Sequence, residues 1–138
     1  MDVKDIMVKE VITVNPDTKV RDAVELMDKN EIGCLVVMRK GKPVGIMTER
    51  DVMKKIVCQC KNPERIRVSE IMSAPLIVAK VNMDWGEAAM LMLNRKIKKL
   101  PIVDSEKLVG LVTLTDIARM RMKQTLESST VTFGIISR

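Results

Sequence analysis

Two seven-residue segments of the chain combine side chains and backbone groups that suit ligand binding. Gly45 to Asp51 and Gly110 to Asp116 each contain a glycine, two apolar residues, a threonine and, three positions after it, an aspartate. Threonine is a favoured N-cap residue, so the pattern predicts a strand that turns into a helix. The free N–H groups and the dipole of a helix start can bind a phosphate. The same spacing also fits a capping box, in which the aspartate only bonds back to the cap.

Both segments belong to a longer internal repeat. A shift of 65 positions places Thr48 on Thr113 and Asp51 on Asp116, and the same shift aligns residues 3–52 with the second half of the chain without a gap. One copy alone is too small to bury its own hydrophobic face well. We therefore expect two copies of one unit that pack against each other.

The hydrophobic pattern predicts the elements of each copy. Apolar residues at helical spacing predict a helix from Val20 to Met27 in the first copy, and the apolar run Cys34 to Met38 predicts a strand covered on both faces. Asp17 or Thr18 is the predicted cap of that helix. A hairpin turn at Arg39 to Lys42 and a return strand follow. Because the second copy repeats this order, the predicted fold class is α+β, with two β-α-β-β-α repeats.

These elements divide the chain into three parts. Residues 1–65 hold the first repeat with a helical lead-in and a polar connector, residues 66–120 hold the second repeat, and residues 121–138 hold the end of the last helix and a tail. Within the tail, residues 131–136 are apolar enough to form a docking strand or an oligomer contact.

Composition excludes several classes of protein. An apolar share of 46% over 138 residues indicates a globular fold, and no apolar run approaches the roughly 18 residues that a membrane span needs. The charged N-terminus does not fit a signal peptide, so we expect an intracellular, cytoplasmic protein. The chain has no histidine, no cysteine with an evident base and no glycine-rich phosphate-binding motif. We therefore predict no catalytic residues and no enzymatic activity.

Cysteines and charges limit the metals and partners. The three cysteines are expected to be reduced thiols, and the Cys58-Gln59-Cys60 segment lacks a second ligand pair for zinc, so no metal site is predicted. The net charge of +6 permits anionic partners, but only two aromatic side chains are available to stack on bases. Arg119, Arg121 and Lys123 near the end of the second repeat leave nucleic-acid binding open as an alternative.

Taken together, the motifs resemble a tandem pair of cystathionine-β-synthase (CBS) domains, also called a Bateman module. The resemblance covers about Val3 to Met120. It rests on the doubled Gly-x-x-Thr-x-x-Asp pattern, the lead-ins Val3 to Met7 and Val68 to Met72, and the run Lys98 to Asp104. It implies two repeats related by a pseudo-two-fold axis, two clefts between them, and pairing of modules into a disc-like homodimer. It also implies an adenosine ligand such as AMP, ADP or ATP. Such a ligand would act as a regulator and not as an obligatory cofactor.

The resemblance further implies ligand-binding roles for residues at the matching positions. Asp51 and Asp116 would accept hydrogen bonds from ribose hydroxyls, and Thr48 and Thr113 would bind phosphate. The remaining candidates are expected near the phosphates or the base: Arg50, Thr115, Lys98, Lys99, Thr18, Ile12, Val14, Ile77 and Ala79. The copies differ, because Lys98 and Lys99 align with the uncharged Gly33 and Cys34. The two clefts are therefore not expected to be equivalent.

The combined expectation is a stand-alone regulatory module that binds an adenosine-containing nucleotide between its repeats and signals occupancy to an effector protein. The alternatives are a sensor of S-adenosylmethionine or of a dinucleotide, a nucleic-acid-binding protein, and a scaffold whose clefts are empty.

Overall fold

A computed structural model describes residues 1–128 and contains the predicted order of elements twice. A 3-10 helix at Val3–Asp5 precedes the first repeat. That repeat contains β1 (Thr13–Val14), α1 (Val20–Asn30), β2 (Cys34–Arg39), β3 (Lys42–Thr48) and α2 (Glu49–Val52), which continues as a π-helical segment at Met53–Val57. The second contains α3 (Val68–Ile71), β4 (Ala79–Lys80), α4 (Trp85–Arg95), β5 (Lys99–Asp104), β6 (Lys107–Thr113) and α5 (Leu114–Ser128). The predicted α+β class with two β-α-β-β-α repeats is confirmed.

The predicted apolar tail at residues 131–136 lies outside the described residues. Within residues 1–128, no helix is both long and apolar enough to cross a bilayer.

Each repeat forms a three-stranded sheet with its own core. In the first sheet β1 runs parallel to β2 and β3 returns antiparallel to it, and β4, β5 and β6 repeat this arrangement. The register pairs Cys34 with Thr48 and Lys99 with Thr113. The start of each middle strand therefore lies beside the strand-to-helix corner of its own repeat, which brings Lys99 next to the second corner.

The start of α1 differs from the prediction. Lys19 occupies the N-cap position without a side-chain hydrogen bond, so neither Asp17 nor Thr18 caps the helix. The backbone N–H group of Val20 instead donates to the carbonyl oxygen of Ile66 in the connector, at 2.8 Å. A backbone group that is distant in sequence thus satisfies a free helix N–H group, which local capping signals do not reveal.

The lead-in of each repeat packs against the core of the other repeat. Val3 is fully buried in the second core, where its N–H group donates to the carbonyl oxygen of Met83 at 2.9 Å. Val68 is fully buried in the first core, and its N–H group donates to the carbonyl oxygen of Thr18 at 2.8 Å. Because each core is completed by a residue from the other half of the chain, the two repeats are held together.

Each lead-in also pairs with the return strand of the other repeat. Ser73 and Ile46 exchange two backbone hydrogen bonds of 2.8 and 3.1 Å, and Val8 and Leu111 exchange two of 2.9 Å. The two pairs are equivalent under the 65-residue shift. A Cβ atom at Gly45 would lie 3.1 Å from the carbonyl oxygen of Ser73, closer than side chains normally pack. The absence of a Cβ atom at Gly45 therefore favours the close approach of the lead-in.

The two hairpin turns have the same backbone conformation but different residues. Lys40 and Gly41 both have positive φ angles, 50° and 77°, and so do Ser105 and Glu106, at 48° and 68°. Two consecutive left-handed residues form the tight turn that suits the twist of a hairpin. The second turn adopts it without a glycine, which costs free energy at a residue with a Cβ atom.

Candidate ligand-binding site

The repeated Thr-x-x-Asp pattern forms a capping box in both repeats. The backbone N–H of Asp51 donates to Oγ1 of Thr48 at 3.2 Å, and the N–H of Thr48 donates back to Oδ2 of Asp51 at 3.0 Å. Thr113 and Asp116 exchange the same two hydrogen bonds, both at 3.0 Å. The prediction that Thr48 and Thr113 cap their helices is confirmed. Each box uses Oδ2 of its aspartate, so the two corners are distinguished by the hydrogen bonds that the other oxygen, Oδ1, accepts.

At the first corner, Asp51 is fully engaged by its own chain. Its side chain is buried, and Oδ1 accepts hydrogen bonds from Nζ of Lys55 at 3.1 Å and from Oγ of Ser73 at 3.0 Å. Oδ2 also accepts a hydrogen bond from the hydroxyl of Thr48 at 3.1 Å. Nζ of Lys55 is held in place by a second hydrogen bond, to the carbonyl oxygen of Ile71 at 2.7 Å. Since a carboxylate offers about four acceptor positions, these donors saturate Asp51.

At the second corner, Asp116 has an unused oxygen. The residues that align with Lys55 and Ser73 are Met120 and Val8, whose side chains carry no hydrogen-bond donor of comparable strength. Within residues 1–128, no hydrogen bond or ion pair reaches Oδ1 of Asp116, which is only partly buried. Asp116 therefore keeps acceptor capacity that Asp51 has lost.

A cleft of about 270 Å³ opens beside this aspartate, and we call it the Asp116 cleft. Residues from both repeats line it, so it lies between them. Four of the predicted site residues meet there: Ile12, Lys99, Thr113 and Asp116. Glu10 and Val8 also line it, and sequence reasoning missed them because nothing in the repeat shows that a lead-in crosses to the other half. Ile12, which was predicted as a site residue and lies two positions after Glu10, was the feature of the sequence that could have indicated them.

The other predicted polar residues do not line this cleft. Thr48 and Asp51 form the saturated corner of the first repeat. Arg50, Lys98 and Thr115 are exposed at the surface. Among the residues that line the cleft, Lys99 is thus the only basic one, although the sequence offers two consecutive lysines.

The predicted apolar site residues divide between the cleft and the two cores. Val14 is buried in the first core and Ala79 in the second, while Ile77 packs against the second core from its edge. Thr18 lies at the crossing of the second lead-in, where its carbonyl oxygen binds the N–H group of Val68. Among the apolar predictions, only Ile12 faces the Asp116 cleft.

The charges of the cleft are mixed. Burial raises the pKa of the Cys34 thiol from 9.0 to about 11; the ammonium of Lys99 opposes this shift and the carboxylate of Glu49 adds to it. Lys99 and Glu49 are therefore both close to Cys34, at the start of β2. The lining itself carries two carboxylates, of Glu10 and Asp116, and one ammonium. The cleft is thus neutral to weakly negative and can accept hydrogen-bond donors at its acidic side.

The family model of the CBS domain matches the chain twice, over residues 3–58 and 68–123. The chain belongs to the CBS domain family. The resemblance to a tandem CBS pair is confirmed, and the chain is a regulatory module of the CBS-pair type.

Several relatives share the pair. The CBS domain-containing protein YhcV of Bacillus subtilis is 35% identical over 130 residues, which cover 94% of this chain and 92% of YhcV. The uncharacterized protein MK0525 of Methanopyrus kandleri is 40% identical over 81% of this chain, and the match spans 58% of MK0525. Inosine-5′-monophosphate dehydrogenase of Methanocaldococcus jannaschii is 39% identical over 85% of this chain, which corresponds to 23% of that enzyme. The chain thus spans only part of some relatives.

Solved structures share the architecture. A putative signal-transduction protein with CBS domains from Burkholderia ambifaria superimposes with a TM-score of 0.85 at 29% identity, over 97% of this chain and 100% of that one. The CBS domain pair of protein MJ0100 superimposes with a TM-score of 0.82 at 31% identity, over 90% of this chain and 98% of that one. The MJ0100 structure contains 5′-methylthioadenosine and S-adenosyl-L-methionine.

Proposed function

We propose that the chain is a regulatory, non-enzymatic module that binds an adenosine-containing nucleotide of the AMP, ADP or ATP class in the Asp116 cleft and signals occupancy to an effector protein in the cytoplasm. The observation that carries the proposal is Oδ1 of Asp116, a carboxylate oxygen without a donor among residues 1–128, placed at a cleft between the repeats. Ribose presents two adjacent hydroxyl donors, and a carboxylate accepts hydrogen bonds from both.

The other side chains of the cleft supply the remaining contacts of a nucleotide. Ile12 and Ile32 offer apolar surface to a purine, and the partly buried ammonium of Lys99 can bind a phosphate. Thr113 holds Asp116 in position through the capping box. The volume of about 270 Å³ is near the lower end of small-molecule pockets, which begin at roughly 300 Å³, and this favours a mononucleotide over a dinucleotide.

A second candidate ligand is S-adenosylmethionine or a related adenosine thioether. Two carboxylates, of Glu10 and Asp116, line the cleft against the single ammonium of Lys99. This balance favours a ligand with little negative charge or with a cationic sulfonium group over a triphosphate, because like charges repel in a partly desolvated site. The ligands found in the 31% identical MJ0100 pair support the same candidate.

The output of the module is proposed to pass through an effector and through pairing of two copies. In Methanocaldococcus jannaschii a similar pair is part of an enzyme chain, which supports an enzyme as the kind of effector. Four apolar side chains are exposed on the neighbouring helices α4 and α5: Met90, Leu93, Met122 and Leu126. They are the surface that we assign to a disc-like homodimer. Sedimentation equilibrium should show twice the chain mass of 15.6 kDa, and a monomer at micromolar concentration would contradict the assignment.

The ligand is tested by thermal unfolding and calorimetric titration with AMP, ADP, ATP, S-adenosylmethionine and NAD separately. A ligand at 100 times its Kd should stabilise the fold by about 2.7 kcal/mol. If none of the five shifts the midpoint or releases heat, the proposed function is wrong.

The ribose contact is tested by Asp116→Asn, which keeps the size of the side chain and an oxygen for the cap. One oxygen of the carboxylate becomes a donor, so a charge-assisted hydrogen bond worth about 1.5–3 kcal/mol is lost and the Kd should rise roughly tenfold to hundredfold. Asp104→Asn, in an exposed hairpin position, is the matched control for the change of charge. Equal affinity of the two variants would refute the role of Asp116.

The two ligand classes are separated by Lys99→Met. Loss of the ammonium should weaken AMP binding and leave 5′-methylthioadenosine, which has no phosphate, unaffected. An equal loss for both ligands would show that Lys99 does not contact a phosphate.

A further inference from the structure

We propose that Lys55 and Ser73 take the place of ligand hydroxyls at Asp51, so that the CBS pair binds one ligand, in the Asp116 cleft, and holds its other corner closed. The inference rests on the proposed function and adds the stoichiometry of the site and the residues that determine it. It identifies Lys55 and Ser73 as residues that no ligand touches but that decide where a ligand can bind.

The two corners have equivalent backbone hydrogen bonds, and they differ in the side chains that these bonds position. Ser73 is positioned by its two backbone hydrogen bonds with Ile46, and Val8 by the equivalent two with Leu111. The side chains at positions 73 and 8 therefore approach their corners from the same direction. Only at the first corner does the lead-in deliver a hydroxyl, whose oxygen lies 3.0 Å from Oδ1 of Asp51.

The charge at the first corner is also satisfied. Lys55 lies one helical turn after Asp51, and its Nζ binds Oδ1 at 3.1 Å. The same ammonium donates to the carbonyl oxygen of Ile71 at 2.7 Å, so it is anchored on two sides. A ribose hydroxyl that approached Asp51 would have to displace the ammonium of Lys55 and the hydroxyl of Ser73. Each of these groups already donates to Oδ1, which is the hydrogen bond that the ribose would otherwise make. The side chain of Asp51 is also only 9% exposed, because these donors cover it.

The second corner lacks both groups. Met120 occupies the position that corresponds to Lys55, and Val8 occupies the position that corresponds to Ser73. The carboxylate of Asp116 therefore has one oxygen that only an external donor can satisfy. Among the side chains that donate to the Oδ1 atoms, the closed and open corners differ by these two exchanges, so exchanging both residues should convert one corner into the other.

The first test converts the open corner into the closed one with the double variant Val8→Ser/Met120→Lys. Val8 is half exposed and Met120 is partly buried at the surface of α5, so both positions can accept the new side chains. In calorimetric titrations with AMP and with S-adenosylmethionine, wild type should bind one ligand per chain. The double variant should bind at least about 100-fold more weakly, because both new donors occupy Oδ1. Met120→Leu, which introduces no donor, is the control and should bind as wild type does.

The second test opens the closed corner with Lys55→Met/Ser73→Val, with folding verified by circular dichroism. The stoichiometry should rise from one ligand per chain to two. A wild type that binds two ligands per chain, or a folded Val8→Ser/Met120→Lys variant that binds as tightly as wild type, overturns the inference. So does a folded opened variant that still binds one. A wild type that binds none of AMP, ADP, ATP, S-adenosylmethionine and NAD refutes the proposed function itself, which separates the two failures.

Discussion

Replacement of each aspartate by alanine should have very different effects on stability, although the two residues occupy equivalent positions. Asp116→Ala removes only the hydrogen bond that Oδ2 accepts from the N–H of Thr113, because the backbone N–H at position 116 still donates to Oγ1 of Thr113; the lost bond is worth about 1 kcal/mol. Asp51→Ala removes the equivalent bond from the N–H of Thr48, and it also removes the carboxylate that accepts from Lys55 and Ser73. Hydrogen bonds to a charged group contribute about 1.5–3 kcal/mol each.

The contribution of Lys55 must be reduced, since its side chain is 34% exposed and keeps its bond to Ile71. An ion pair of this exposure contributes about 1 kcal/mol. With about 1.5 kcal/mol for Ser73 and about 1 kcal/mol for the lost bond from the N–H of Thr48, Asp51→Ala should cost about 3–4 kcal/mol. The difference between the two alanine variants is therefore about 2–3 kcal/mol.

Urea unfolding followed by far-UV circular dichroism, without added nucleotide, measures both values. With a slope of roughly 2 kcal/mol per molar urea, the midpoints of Asp51→Ala and Asp116→Ala should differ by about 1–1.5 M. Added AMP should then stabilise Asp51→Ala but not Asp116→Ala, because only the latter loses the proposed ribose contact. Equal midpoints without ligand would show that the bonds of Lys55 and Ser73 to Asp51 do not stabilise the fold, and the reasoning on the closed corner would be refuted.

Three further predictions concern a buried thiol and a strained turn. Cys34 is buried and its pKa is raised to about 11, whereas Cys58 and Cys60 are exposed. A disulfide reagent at pH 8 should therefore modify two thiols rapidly and the third only on unfolding. Rapid modification of all three thiols would contradict this prediction. Because the unfolded state releases the Cys34 proton first, at the ordinary pKa of 9.0, the free energy of unfolding should fall between pH 9 and 11, and Cys34→Ala should make this fall shallower. Glu106 has a φ of 68°, so Glu106→Gly should raise the free energy of unfolding by about 0.5–1 kcal/mol in urea titrations. Glu106→Ala removes the same exposed ion pair with Lys42 but keeps the strain, so an equal gain in both variants would argue against relief of strain.

The architecture was predictable because it depends on patterns that repeat. The period of Val20 to Met27 and the continuous apolar run from Cys34 indicate a helix and a covered strand, and the 65-residue shift transfers both to the second half. Helix capping by Thr48 and Thr113 was predictable for the same reason, since the cap is a local interaction. Local and periodic interactions are visible in one sequence because their partners are a few residues apart.

The composition of the cleft was less predictable because it depends on contacts between the halves. Val8 and Glu10 reach the Asp116 cleft only because the first lead-in crosses to the second repeat. A repeat shows which positions are equivalent, but it does not show which copy each position touches. Only one of the two contacts that saturate Asp51 could be predicted from the sequence. Lys55 lies four residues after Asp51, a spacing that often gives an ion pair, whereas Ser73 is 22 residues away and its contact depends on the fold.

Alignment of the two repeats predicted unequal clefts from Lys98 and Lys99. The structure adds a second and stronger difference between the two halves, which is the saturation of Asp51. Lysines near a phosphate adjust how tightly an anionic ligand binds, whereas a saturated carboxylate removes the acceptor for the part of the ligand that all adenosine derivatives share. Both differences favour the same half, because Lys99 and the unsaturated Asp116 line one cleft. If that cleft is the sole site, ligands cannot interact with each other within one chain. Any cooperativity in the response must then arise between chains, through whatever surface joins two copies.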